Sequence, residues 1–250
     1  MSPTSIAWIV LVCVFGGAVL GVVLRTILPQ QHLSSDSKDV IKLAMGLTAT
    51  MAALVLALLI AAAKSSYDAQ RSEVTQLAAN VILLDRVLAH YGPETKAARD
   101  MLGHAAANIV DRIWSEDHSQ AAQGSPAVGG EAFYDEIQEL SPRNEVQRLL
   151  QTQALKMSID LGQTRLMLFE QSGRSIPMPF LVLLIFWVTI IYVSFGLFAP
   201  PNATVIATLF LCALSVSGAI FLILELDRPF GGLIEISSAP LRNAVAQLGK

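Results

Sequence analysis

The residues equipped for chemistry fall into a few small groups. Asp85 and Arg86 stand side by side in an apolar run, after Val81, Ile82, Leu83 and Leu84 and before Val87 and Leu88. A charge of each sign among such neighbours suggests a buried or intersubunit contact, or else a solvated stripe. Glu225, Asp227 and Arg228 close the last apolar segment. Carboxylates within lipid mark ion paths because charge is expensive there. These lie at the segment's edge, where water reaches them and mutual pairing is the plainer expectation. Thr48 and Thr50 are the only polar side chains between Met45 and Ala63. A threonine hydroxyl faces water in a pore or bonds back to its own helix. His90 and Tyr91 suit a pH sensor, or a plain cap on the last carbonyls of a helix.

None of these groups makes an acid–base pair or an activated nucleophile, so no catalytic residue and no enzymatic activity are expected. His32, His90, His104 and His118 lack the close spacing of a zinc or haem site. Cys13 and Cys212 both lie in apolar segments and read as small buried hydrophobes. No glycine-rich phosphate loop or nucleophile elbow is present. Neither a metal nor a cofactor is expected. With no basic stripe, a nucleic-acid partner is not expected either.

The elements that would hold these residues are helical and largely apolar. Of 250 residues, 53% are hydrophobic and 15% charged, which fits a polytopic membrane protein better than a soluble domain. A first span is expected at about 5–28 and a second at 41–63. The first is read as retained, because no Lys or Arg precedes it and no cleavage site of the signal-peptide kind follows. Gly17 and Gly21 on it have the spacing of a close helix contact, though glycine is common in membrane helices. Past Ala63 the second span turns polar without a Pro or Gly to stop it. Ala49, Ala53, Leu56, Ile60, Ala63, Tyr67 and Gln70 continue through Val74, Leu77, Val81, Leu84, Leu88 and Tyr91 in steps of three and four. This is a heptad seam on one helix, ending at Gly92-Pro93. Such a helix reaches roughly 75 Å, against about 30 Å for a bilayer core, so half of it forms a stalk.

Helices are then expected at about 94–115, 132–139 and 142–172, with a flexible loop at 116–130. Ser141 reads as N-cap of the last of these, Pro142 as its first residue and Gly173 as its stop. Spans at 180–198 and 203–224 follow, joined by a short turn at Pro200-Pro201. The tail carries Pro229, Gly231 and Gly232, with Ile234 and Ile236 placed to lie on the stalk, and a short helix at 239–248. The fold class is thus an all-α membrane protein with four transmembrane helices in two hairpins. The first hairpin covers 1–63 and the second 177–226. A helical cytoplasmic domain, 64–176, is inserted between spans 2 and 3, and the tail, 227–250, packs on it. Lys64, Arg71, Arg165, Arg174, Arg228 and Arg242 outnumber Arg25, Lys38 and Lys42 on the other face, which puts the termini and domain in the cytoplasm.

Several motifs resemble the bacterial bestrophin-like family, related in name to the bestrophin anion channels. They are Ala61-Ala62-Ala63-Lys64-Ser65-Ser66-Tyr67-Asp68 and Leu83-Leu84-Asp85-Arg86-Val87-Leu88-Ala89-His90-Tyr91-Gly92-Pro93. The tail adds Arg228-Pro229-Phe230-Gly231-Gly232 and Ser237-Ser238-Ala239-Pro240-Leu241-Arg242. The resemblance implies a multi-pass protein of the bacterial inner membrane. It also implies a homo-oligomer, a pentamer as first expectation, whose second span lines a pore. The aromatic constriction and acidic calcium clasp of bestrophins have no counterpart here.

The expected function is therefore an oligomeric ion channel, anion-conducting, in contact with lipid, ions and its own copies. Candidate pore or gate residues are Thr48, Met51, Leu54, Val55, Leu58 and Leu59, a mostly apolar set able to close by dewetting. Asp85, Arg86, Glu225, Asp227 and Arg228 are the candidate clasp or gating residues. The alternative is a non-conducting scaffold or regulatory protein, oligomerised through its stalk, that binds a partner by its helical domain.

Overall fold

The computed structural model describes residues 2–29, 35–114, 128–170, 176–200 and 202–248. Every regular element among them is helical. The helices are α1 (Pro3–Ile27), α2 (Ser35–Tyr91), α3 (Lys96–Trp114), α4 (Val128–Gln138), α5 (Glu145–Glu170), α6 (Met178–Phe198), α7 (Ala203–Leu226) and α8 (Ala239–Gln247). A 3₁₀ turn, Pro93–Thr95, precedes α3. α1, α2, α6 and α7 are long and apolar enough to cross a membrane. Most of the loop expected at 116–130, the stop at Gly173 and residues 30–34 between the first two spans lie outside the described residues, and α2 begins six residues before the expected 41. The chain divides into two units, Met1–Ser66 with Arg174–Asp227, and Tyr67–Gly173 with Arg228–Lys250.

In the first unit α1 packs on α6 and α7. Lipid gives apolar helices little reason to associate, so close packing and polar ties decide the contact. A Cβ on Gly21 would overlap the carbonyl oxygen of Val193, and one on Gly196 would overlap that of Ala18. Backbones therefore meet at these two glycines. Gly17 lies nearby, where a Cβ would stand 3.0 Å from the Thr189 methyl. The spacing of Gly17 and Gly21 thus marks a real contact, and Gly196 is its partner. Ser217 donates to the Ala7 carbonyl at 2.6 Å, tying α7 to α1, and Phe15 meets Phe210 edge-on at 5.2 Å. Three of the four spans, α1, α6 and α7, are capped or tied at an end. Ser2 accepts from Ser5 N, Asn202 accepts from Val205 N, and the Arg25 guanidinium donates to the Ala199 carbonyl beyond α6. Cys13 and Cys212 are free and exposed on the spans, so the expectation that both are buried is corrected. In a bilayer an apolar residue gains nothing by turning inward.

In the second unit the stalk part of α2 supplies the core. Val74, Leu77, Val81, Leu84 and Leu88 are buried with Leu102 and Ile109 of α3, Ile137 of α4 and Leu241 of α8. Full burial of each large aliphatic side chain contributes roughly 1.5–3 kcal/mol. α2 ends at Tyr91 because Gly92 adopts φ 137°, a conformation that L side chains rarely take. Thr95, fully buried, donates to the carbonyls of Leu88 and Gly92 at 2.7 and 2.8 Å and fixes this corner.

Three of the extramembrane helix starts differ from expectation. α4 begins at Val128, inside the loop expected to run to 130, and not at 132. Pro93–Thr95 forms a 3₁₀ turn, so α3 begins at Lys96 and not at Glu94. α5 begins at Glu145 and is capped by Asn144, not by Ser141 with Pro142. Asn144 Oδ1 accepts from Gln147 N at 2.8 Å, and Gln147 Oε1 accepts from Arg143 N at 2.8 Å. That exchange satisfies two donors, which Ser141 does not offer.

Candidate functional site

Along its apolar part α2 is the most exposed of the four long helices. Only 11% of its most apolar window is buried, against 33, 28 and 22% for α1, α6 and α7. The six candidate pore residues do not share one face. Leu59 is buried with Ala52 and Ala63 in the first unit's core, Val55 packs partly against them, and Thr48 is half-buried on the same side. Met51, Leu54 and Leu58 are exposed. At about 100° per residue the two sets point roughly 90° apart. The outward set continues a stripe through Val40, Leu43 and Leu47, all exposed. A second exposed strip carries Gly46, Ala49, Ala53 and Ala57.

The heptad seam also needs correction in this half. Ala49, Ala53 and Ile60 are exposed, and the buried positions are Ala52, Leu59 and Ala63. From Ala63 onward the expected seam is the buried one. Thr48 donates to the Ala44 carbonyl at 3.0 Å and Thr50 to that of Leu47 at 2.7 Å. Both hydroxyl protons are thus spent on the helix itself, leaving lone pairs as the outward polar feature.

In the second unit Asp85 is buried, and it is held by α3. Arg99 Nε donates to Oδ1 at 2.6 Å and Nη2 to Oδ2 at 3.0 Å, a two-pronged contact. The hydrogen bond to Asp85 outweighs partial burial and raises the guanidinium pKa, so Arg99 stays charged. Arg86 is exposed, so of the two neighbouring charges only Asp85 makes a buried contact within the chain. Successive residues on a helix point about 100° apart and do not face each other. His90 Nδ1 lies 2.7 Å from the Arg86 carbonyl, the capping arrangement. Tyr91 is buried, and its hydroxyl has no hydrogen-bond partner among the described residues. Burial first, then the charge of Glu94, raises its pKa, with Arg143 opposing. Arg143 stands 3.4 Å from Glu94, and Gln147 Nε2 donates to the Tyr91 carbonyl at 2.9 Å.

The other candidate clasp residues divide between the units. Glu225 and Asp227 close α7 in the first, and Arg228 opens the tail of the second. Glu225 is buried, contrary to the expectation of a water-exposed edge, whereas Asp227 and Arg228 are half-exposed. α7 runs two residues past the expected Leu224, which carries Glu225 onto the helix's packed side. Within the tail, Ile236 N donates to the Pro229 carbonyl at 2.7 Å, and Gly232 takes φ 125° to close that loop. Ile236 is buried in the stalk core, while Ile234 is half-exposed. Trp114 Nε1 donates to the Ile236 carbonyl at 2.7 Å, and its ring meets Phe230 edge-on at 5.5 Å. Arg99, Thr95 and Trp114 escaped sequence reasoning because each has a partner 7 to 122 positions away.

Four membrane-length helices and a second, helical unit built on α2 define a multi-pass membrane protein. The model of the Bestrophin-like domain matches residues 12–241, nearly the whole chain, and the protein belongs to that family. No curated protein and no solved structure matches it.

Proposed function

We propose that the protein is an oligomeric ion channel, anion-conducting, with α2 lining the pore. The observation that carries this reading is the exposure of α2. It buries least of the four long helices, so most of its surface is left for other copies, water or lipid. Val55 and Leu59 belong to the first unit's core, which narrows the gate to Met51, Leu54 and Leu58. Repeated about an axis, these side chains form an apolar ring that closes by dewetting. The four spans form two hairpins, and residues 64–176 lie in the cytoplasm with both termini. The membrane is the bacterial inner membrane, and a pentamer is the starting expectation. Anion preference rests on the bestrophin resemblance. No catalytic role is assigned.

A second reading is favoured by the spent hydroxyls of Thr48 and Thr50. In it the spans anchor and oligomerise a scaffold whose helical unit binds a partner. Flux from liposomes holding the purified protein separates the two. A channel conducts chloride or nitrate, and Leu54→Trp or Leu58→Trp blocks it. Absence of flux for every ion tested, from protein that elutes as one oligomer, refutes conduction.

A further inference from the structure

α2 runs as one helix from Ser35 to Tyr91, so the side it turns to an axis among the spans continues into the stalk. Its packed side keeps one bearing throughout. Ala52, Leu59, Val74, Leu77, Val81 and Leu88 are buried and recur at about 3.6 residues per turn. The opposite side is exposed at every turn from Leu54 to His90, about ten turns of the helix. Its make-up changes where the apolar segment ends. Leu54 gives way to Ser65, Ser72 and Ala79, and then to Arg86 and His90. The solvated face of a stalk usually carries long charged side chains. Short ones around an axis instead leave a wider and wetter lumen than the leucines before them.

Two charges stand on this side, Asp68 and Arg86. Asp68 is already engaged with another group. Arg86 forms no ion pair among the described residues. The carboxylate beside it in sequence, Asp85, is held by Arg99. Asp68 and Arg86 are about 27 Å apart along the helix. Salt water carries a field only about 8–10 Å, so Asp68 does not cancel Arg86. We propose that Arg86, repeated about the axis, forms a ring of guanidinium groups that draws small inorganic anions into the lumen and sets the channel's anion preference. The inference rests on the channel reading. It puts charge selection about 35 Å beyond Ala63, apart from the apolar gate. Positive charge at a confined mouth raises the local anion concentration, and rings of Arg or Lys favour anions. A ring that acts through its field should be silenced by salt.

The test is electrical recording from the full chain in planar bilayers, with potassium chloride on both sides. In about 0.1 M salt, Arg86→Met should lower chloride conductance about threefold. Arg86→Glu should lower it further and turn the preference towards potassium, and Arg86→Lys should behave as the wild type. In 1 M salt the field reaches only about 3 Å, so Arg86→Met and the wild type should converge. Lys156→Met removes an exposed charge on α5 and should match the wild type at both concentrations. Arg86 is exposed, so its variants should keep the wild-type melting temperature. Wild-type protein that passes no ion overturns this proposal together with the channel reading. Conduction that Arg86→Glu leaves unchanged, or a loss in Arg86→Met that 1 M salt does not reverse, overturns this proposal and leaves the channel reading standing.

Discussion

The pair Asp85–Arg99 allows the stalk to be tested with an unequal perturbation. The Asp85 side chain is 4% exposed and that of Arg99 is 23% exposed. Removing one partner of a buried ion pair costs about 3–5 kcal/mol, because the other charge is left in a dry place. The two single changes should therefore differ. Asp85→Leu leaves a guanidinium that rehydrates through its exposed part, so its cost lies lower, at about 2 kcal/mol. Arg99→Met leaves a carboxylate with almost no access to water and should cost about 3–4 kcal/mol. For a chain of this length that is a Tm loss of roughly 6–16 °C. The double variant, apolar on both sides, should recover most of it, as apolar replacement of buried pairs does. Arg86→Met serves as control and should stay within about 0.5 kcal/mol, as exposed sites do. Heat unfolding of the detergent-solubilised protein, followed by far-ultraviolet circular dichroism, reads all four. The reasoning fails if Arg99→Met is no worse than Arg86→Met, or if the double variant is as damaged as the worse single one.

Tyr91→Phe should stabilise the protein by about 1 kcal/mol, because it removes a buried hydroxyl with no described hydrogen-bond partner. It should also change the alkaline limb of stability. The pKa of Tyr91 is raised above its ordinary 10.0, so its contribution is fully present below about pH 10 and is lost as pH rises through the folded value. Melting curves from pH 8 to 11 should be steeper for the wild type than for the variant, and equal slopes would refute the assignment. At the contact of α1 with α6, Gly21→Ala or Gly196→Ala should cost more than 2 kcal/mol, since each Cβ meets backbone that cannot move alone. Gly16→Ala, where a Cβ meets nothing within 4 Å, should be neutral or slightly stabilising in the same melts.

What could be read in advance follows the solvent. Beyond Ala63 the steps of three and four named the buried residues Val74, Leu77, Val81, Leu84 and Leu88, because in water an apolar face must find cover. Before Ala63 the same rhythm misplaced the packed face. Ala49 and Ala53 are exposed while Ala52 and Leu59 are buried. Lipid tails are as apolar as leucine, so burial in that half leaves little periodic trace. The corner at Gly92-Pro93 was legible from residue type alone, since a glycine before a proline stops a helix. The cap on α5 was not, because Asn144 and Ser141 are both good caps and only the exchange with Gln147 chooses between them. The motifs 61–68 and 83–93 pointed to the family whose model spans 12–241. The candidate sites were harder, because nothing in the spacing around Asp85 names its partner, and α3 brings Arg99 from 14 positions away.

The same asymmetry bears on how copies of α2 would meet. Its exposed surface has a strip of large side chains, Leu43, Leu47, Met51, Leu54 and Leu58, and a strip of small ones, Gly46, Ala49, Ala53 and Ala57. Helices in lipid approach closely only where side chains are small, so the small strip is the better face for a neighbouring copy. The large strip is then left for the axis or the bilayer. These two fates differ in one measurable respect: a charge on an axial face meets water, whereas on a lipid face it is expelled. Leu54→Asp in a channel should therefore fold, insert and alter ion flux. The same change on a lipid face should lower the yield of inserted protein and leave no flux to alter.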